Sequence, residues 1–511
     1  LEQDKKKSKT QPTGQVGSVC FTGEVSMDST KGITLIGLGP GTADLLTRQA
    51  WTWLESCGEV YLRTRQHPTV AGLPRSCKVF SFDNLYEDGE NFEDVYAQIV
   101  ARVLELGRRP EGVTYAVPGH PFVAEATCPE ILRQAEAAGL PVRVIEGLSF
   151  IEPTLTALRV DPYPRMAMVD AIELSQAHHP HFAPNAPALV AQIFSQVVAA
   201  EVKMTLLAVY PDDHIVKLVH GAGTKEVMVE ELPLFEMDHS RHLGLLSTLF
   251  VPPLPNGAAF EDFQEIVARL RAPDGCPWDR EQTHESLRTN LLEEAYEALQ
   301  ALDDDDMPGM REEFGDLLLQ IVLHAQISFE EADFKMADVV QGISSKIVAR
   351  HPHVFGEVEV DGVKGVLQNW EKLKAAERAA KGVTKGLLDG VPAALPALSQ
   401  AQGIQDRAAR VGFDWPEIDG VLAKIGEELA ELQAASSAEE KTNELGDLLF
   451  AVVNVARWMR IDAESALRGT NGRFRARFGY IEQAARKQGR EVSQLSFEEM
   501  DILWEEAKTL E

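Results

Sequence analysis

No stretch of the chain reaches the roughly 18 consecutive apolar residues that a membrane-spanning helix needs, which argues against a protein that crosses a bilayer. Cysteine is scarce, with 5 among 511 residues. Cys20, Cys57, Cys77, Cys128 and Cys276 are odd in number and never spaced C-x-x-C, which excludes a disulfide framework and a zinc ribbon and makes a reducing cytoplasm the expected location. Gly and Pro, at 38 and 27, hold their ordinary share, so collagen-like and low-complexity readings fall away. Basic residues are the remaining deficit: 49 Lys and Arg face 79 Asp and Glu, a net charge of −30. Residues 1–250 carry 21 basic and 31 acidic side chains, and residues 251–511 carry 28 and 48. Such a surface repels phosphate backbones, so no nucleic acid is expected as a partner. A small polyanion would approach only with divalent cations in between.

A chain of this length accommodates about three domains. Residues 1–30 are basic and polar and lead into no apolar segment of the secretory kind, and are expected to form a disordered tail. From residue 32, ITLIGLGPG, a helix-like ADLLTRQAWTWLES and EVYLR form a strand, loop, helix and strand. Further strands are predicted at GVTYAVPG, PVRVIEG, PALVAQ, MTLLAVYP and EVMVEEL, with helices at FEDVYAQIVARVLEL and PEILRQAEAAG. Alternation of this kind predicts an α/β domain over residues 31–250. The Pro-rich FVPPLPNGAAF marks a linker near 250–258. Beyond it apolar residues recur every three to four positions, which predicts an all-α second half.

That half is a tandem repeat. NLLEEAYEALQ and REEFGDLLLQIVLHAQ are echoed by KIGEELAELQ and TNELGDLLFAVVNVAR, 134 and 131 residues later. The repeats are placed at 259–380 and 397–511, joined by the Gly- and Pro-rich segment at 381–400, and each opens on a tryptophan loop, GCPWD and GFDWP.

In the first repeat Glu294 and Glu297 stand one helical turn apart, and Glu313 and Asp316 repeat that spacing on the next helix. Pairing of the two helices through the short DDDDMPGM connection brings the four carboxylates together. So many like charges repel one another unless cations lie between them, and an all-oxygen ligand set selects Mg²⁺ or Mn²⁺ over zinc. Glu428, Glu431, Glu444 and Asp447 form the same set in the second repeat, with Glu293 and Glu427 at matching positions beside the sets. Lys346 and Arg350, and Arg473 and Arg477, lie four apart on later helices and suit the clamping of phosphates. Trp278, Trp370 and Trp415 can stack a base or pack on the bundle.

The pattern E-E-x-x-E followed by E-x-x-D, with the flanking CPWD, RHPHVF and NWEKLK segments, resembles the MazG family of nucleoside triphosphate pyrophosphohydrolases over about residues 259–500. The resemblance implies cleavage of a nucleoside triphosphate to monophosphate and pyrophosphate in nucleotide-pool house-cleaning. Metal would be held by the eight carboxylates, with Glu293 or Glu427 orienting or deprotonating the attacking water. The repeats differ: Lys346 corresponds to Arg473, and Ser344 to Asn471. Neither has lost a carboxylate, so both are expected to bind metal, with the second the preferred catalyst. Small repeats bury little core alone, so a homodimer or pairing of repeats is expected.

In the first domain, Gly37, Gly39, Pro40 and Gly41 follow a strand. Thr42 stands where a dinucleotide fingerprint needs its third glycine, and Arg63 ends the strand where a ribose-binding acid is expected. GLGPGTADLLT, YAVPGHPFVAE and VIEGLSFIEP instead resemble the tetrapyrrole methylases over about residues 31–240. That resemblance implies S-adenosylmethionine as cofactor, near Gly37, Gly39, Pro40, Gly41, Gly119, His120, Pro121 and Ser149. The family commonly has G-D-P where this chain has Gly119-His120-Pro121, and Ser-Ser where it has Ser149-Phe150. A methylase-like domain ahead of two MazG-like repeats resembles the YabN-type fusion. Two rival readings stand beside the pyrophosphohydrolase: a methyltransferase with an accessory helical part, and a non-enzymatic metal-binding bundle. Against the bundle, neither acidic motif, E-E-x-x-E or E-x-x-D, carries the Glu-x-x-His of di-iron proteins in either repeat.

Overall fold

The structure, a computed structural model, describes residues 32–88, 91–255, 257–363, 365, 366, 369, 370, 372–374 and 386–510. The expected N-terminal tail and residues 381–385 of the expected connection lie outside them. The chain divides into two units at Glu265 and Ile266.

Ten strands form two sheets in the first unit: β1 Ile33–Gly37, β2 Glu59–Leu62, β3 Lys78–Ser81, β4 Val113–Val117, β5 Val142–Ile145, β6 Ala167–Asp170, β7 Ala188–Ala191, β8 Ile215–His220, β9 Met228–Pro233 and β10 Ser247–Val251. The first sheet is parallel, in the order β3-β2-β4-β1-β5. Two of its three inner strands, β1 and β4, are buried at every position, as uninterrupted apolar runs are when helices cover both faces. The second sheet, β6-β7-β10-β8-β9, is antiparallel apart from the β6–β7 pair.

The expected strand MTLLAVYP is not a strand. Its first residues complete the Gln196–Leu206 helix and the remainder turns away from it. Ser195 caps that helix by accepting from Val198 N–H, and Val198, Val202 and Leu206 are buried at four-residue spacing. The helical period therefore runs into the segment, while β8 and β10 supply the central strands.

A buried ion pair fastens the end of β2 to the loop after β4. Arg63 Nη1 lies 2.5 Å from Glu125 Oε2, and Glu125 also accepts from Thr127 N–H and Oγ1–H. Glu125 is 8% exposed. Each charge is tolerable there because the other is present.

Each repeat in the second unit is centred on a helical hairpin. Arg288–Asp303 packs on Met307–Glu330, and Ile418–Ala434 packs on Ala438–Trp458. The first turn is three residues long, with Asp305 in the left-handed region at φ 54°. A capping box of Ser437 and Glu440 starts the return helix of the second. Arg271 makes a two-pronged pair with Glu330 and donates to the Asp279 and Gln282 carbonyls, pinning the first tryptophan loop. Asp414 does the same for the second loop by accepting from Arg457 and the Trp458 indole. Arg468 Nε, 2.8 Å from Asp303 Oδ2, ties the Ala463–Lys487 helix to the end of the first hairpin's leading helix.

Replacing Glu125 with alanine strands the Arg63 guanidinium and is expected to destabilise the α/β unit by about 3 kcal/mol in chemical denaturation. The Arg63→Met, Glu125→Leu pair is expected to recover most of that loss. An unchanged unfolding midpoint for Glu125→Ala would contradict the buried-pair account.

Candidate functional site

The first hairpin brings together one carboxylate of its leading helix and two of its return helix. Ligand oxygens of Glu294, Glu313 and Asp316 all lie within 4.8 Å of one another, and the three side chains are half-buried. Glu297 is exposed and falls outside this trio, yet it bears on both glutamates. Loss of solvent pushes the Glu294 carboxyl above its usual range, and the charges of Asp316, Glu297, Glu313 and Glu293 push the same way. Glu313 is likewise raised by loss of solvent, then by the charges of Glu297, Asp316 and Glu312. Among the described residues, no ion pair joins a lysine or arginine to these four acids.

The second hairpin gathers a different trio from the matching positions. Glu428, Glu431 and Glu444 come within the same 4.8 Å, and Asp447 is exposed outside the set. Glu428 is only 5% exposed. Desolvation and the charges of Glu428 and Glu444 raise Glu431, while Lys424 opposes them. Lys424, one turn ahead on the same helix, places its Nζ 2.9 Å from Glu427 and 2.6 Å from Glu428. The sequence reading passed over this lysine although its i+3 and i+4 spacing to the two glutamates was there to be seen.

Glu293 and Glu427 are both exposed beside their trios. The basic residues stand apart from the acids, and none makes an ion pair with either set among the described residues. Lys346 is exposed on the Met336–Arg350 helix, and Arg350 covers the Trp370 ring at 5.7 Å. Arg473 donates to Thr470 Oγ1, and Arg477 covers Trp504 at 5.4 Å. Trp278 is 59% exposed and Trp415 41%, the latter lying against Gly420, where a Cβ would come within 2.4 Å of its ring.

In the α/β unit the loops after β1, β4 and β5 meet. Gly39 and Gly119 exchange backbone hydrogen bonds, both with positive φ. A Cβ on Gly37 would stand 2.5 Å from the Gly119 carbonyl oxygen and 2.7 Å from Gly147 N, and one on Gly41 would strike the Gly223 carbonyl. Pro40 adjoins Gly223, and Pro121 is buried. His120 Nδ1 accepts from Phe122 N–H, and the Ser149 hydroxyl donates to Glu152, so both side chains serve their own loops. A cavity of about 510 Å³ nearby is lined by His67, His220 and His242 among others. None of these histidines carries a sequence motif. Burial holds His67 down to about 4, and its Nδ1 is buried without a hydrogen-bond partner among the described residues.

The raised glutamates carry a pH signature. A carboxyl whose folded-state pKa exceeds its unfolded value holds its proton more tightly in the native state, so it favours the fold at low pH. That contribution is lost as pH rises through the folded value. In chelator, amide exchange in Arg288–Asp303 and Met307–Glu330 is therefore expected to show weaker protection at about pH 7.5 than at about pH 5, after correction for intrinsic rates. Added Mg²⁺ should restore it at the higher pH, and Glu294→Gln should flatten both responses. Protection indifferent to Mg²⁺ would count against a metal centre.

Residues 32–238 match the Tetrapyrrole (Corrin/Porphyrin) Methylases, 282–355 the MazG nucleotide pyrophosphohydrolase domain, and 403–471 the Phosphoribosyl-ATP pyrophosphohydrolase family. The chain is 42% identical over 493 residues to the uncharacterized protein YabN of Bacillus subtilis, covering 94% of this chain and 99% of that one. It is 43% identical over 252 residues to the nucleoside triphosphate pyrophosphohydrolase/pyrophosphatase MazG of Thermotoga maritima, covering 49% of this chain and 96% of the relative. A nucleoside triphosphate pyrophosphohydrolase of Escherichia coli K12 is 42% identical over 252 residues, with 48% and 95% covered. With the α/β sheets ahead of two acid-bearing hairpins and near full-length identity of this order, the chain belongs to the YabN family, a fusion of a tetrapyrrole-methylase-like domain with MazG-type repeats.

Proposed function

We propose that the chain is a nucleoside triphosphate pyrophosphohydrolase that adds water between the α- and β-phosphates, releasing a nucleoside monophosphate and pyrophosphate. One observation carries the reading: a carboxylate trio within 4.8 Å on each of two hairpins. In the first, loss of solvent and then like charges raise two of the acids, and no lysine or arginine of the described residues pairs with them. Names borne by the MazG relatives point the same way.

All-oxygen donor sets with unrelieved negative charge fit Mg²⁺ or Mn²⁺. When bound, such an ion supplies Lewis-acid polarisation of a phosphoryl oxygen. Glu294, Glu297, Glu313 and Asp316 would hold it in the first repeat, and Glu428, Glu431, Glu444 and Asp447 in the second. Glu293 and Glu427 orient the attacking water and take its proton. Lys346, Arg350, Arg473 and Arg477 offset phosphate charge, two of them steadied by the aromatic faces they cover. The role is house-cleaning of cytoplasmic nucleotide pools. The working assembly is a homodimer, because the Met336–Arg350 helix buries no residue and leaves Val340, Ile343 and Ile347 over 40% exposed, a face suited to a second copy.

A second reading concerns the α/β unit. Convergence of the loops after β1, β4 and β5 supports binding of S-adenosylmethionine, since parallel sheets receive ligands beyond the carboxyl ends of their strands. With Ser149 and His120 engaged locally, recognition falls to backbone groups. Calorimetric titration with S-adenosylmethionine should give saturable binding that Gly119→Val abolishes, and an absence of heat would end this reading.

Pyrophosphate release from the ribo- and deoxyribonucleoside triphosphates with Mg²⁺ tests the main reading. Glu294→Gln and Glu428→Gln are each expected to lower turnover of the repeat they occupy by at least about a hundredfold. Undiminished turnover in the double variant would refute it.

A further inference from the structure

The two hairpins are not charged alike, and one of the aligned positions that differ touches the acids. At the 134-residue offset that superposes Glu293 on Glu427, Glu294 on Glu428 and Glu297 on Glu431, Lys424 corresponds to Asn290. Lys424 Nζ bridges Glu427 at 2.9 Å and Glu428 at 2.6 Å. The second cluster thus contains its own counter-cation. The first has an uncharged amide, Asn290, at that position.

Burial accentuates the contrast. Glu428 is 5% exposed, whereas Glu294 is half-buried. A carboxylate so far out of water needs a permanent partner, and the ammonium is that partner. A divalent ion entering the second trio must displace the lysine from Glu428 or bind the same carboxylate against the repulsion of the ammonium. A polyphosphate arriving with the ion offers the displaced ammonium a new anion.

We propose that Lys424 sets the order of loading in the two repeats. The first repeat takes a divalent cation by itself, and the second takes one together with a polyphosphate, onto which Lys424 transfers from Glu428. The idea rests on the metal-binding reading of both clusters and makes Lys424 a positioning residue for the second.

Mn²⁺ binding to the full-length protein, followed by electron paramagnetic resonance, tests this without reference to turnover. In the parent, free Mn²⁺ should fill sites that Glu294→Gln removes and Glu444→Gln leaves intact. Adding α,β-methylene-ATP should open further sites that Glu444→Gln removes. Lys424→Met should raise the nucleotide-free affinity of the second repeat by about tenfold or more, the effect of removing one nearby positive charge. Asn290→Lys, an exchange on a hairpin that retains all its acids, should lower the affinity of the first repeat in the opposite sense. Equal filling of both repeats without nucleotide in the parent would overturn the proposal, as would a second-repeat affinity that Lys424→Met leaves unchanged. Absence of bound Mn²⁺ in either repeat, with and without the analogue, would instead overturn the metal-binding reading beneath it.

Discussion

Repulsion among carboxylates governs the helical half of this protein. A hairpin of two amphipathic helices would ordinarily turn its acids to water, where they cost nothing. Here Glu294, Glu313 and Asp316 face one another across the hairpin, and so do Glu428, Glu431 and Glu444. The arrangement is unfavourable in the bare chain, which is the physical reason to read it as a receptor for positive charge. The pinned tryptophan loops, the capping box and the tight turn at Asp305 hold the acids in place against that repulsion.

The two repeats meet the same problem by different means. One leaves its charge uncompensated among the described residues, and the other recruits Lys424 from the same helix. A lysine-for-asparagine difference between duplicates can separate two similar carboxylate sets without altering any proposed ligand. Comparing the carboxylates alone gives both repeats a full ligand set and says nothing of Lys424.

Much of this organisation was legible beforehand, for identifiable reasons. Strands β1 and β4 are uninterrupted β-branched and apolar runs ending in glycines, and such runs are hard to mistake. MTLLAVYP carries a similar composition but continues a capped helix whose apolar stripe had already begun at Val198, and periodicity within eight residues cannot separate the two. Spacing put Glu294, Glu313 and Asp316 on facing surfaces, as it did Glu428, Glu431 and Glu444. It could not decide which fourth acid would turn outward, because Glu297 and Asp447 differ from their neighbours in side-chain direction and exposure rather than in position. The buried pair of Arg63 and Glu125 joins residues 62 apart, and the histidine-lined cavity draws its residues from both sheets' loops. Contacts of that range leave no local pattern to read.

Arg468 lends the helical half a property beyond stability. Its bond to Asp303 grips the C-terminal end of the very helix that carries Glu294 and Glu297, while its own backbone belongs to the other repeat. Covalent continuity through residues 356–396 is therefore not the sole tether between the copies. Scission there would leave a noncovalent latch in place, and strain arising in one duplicate has a direct mechanical route into its sibling.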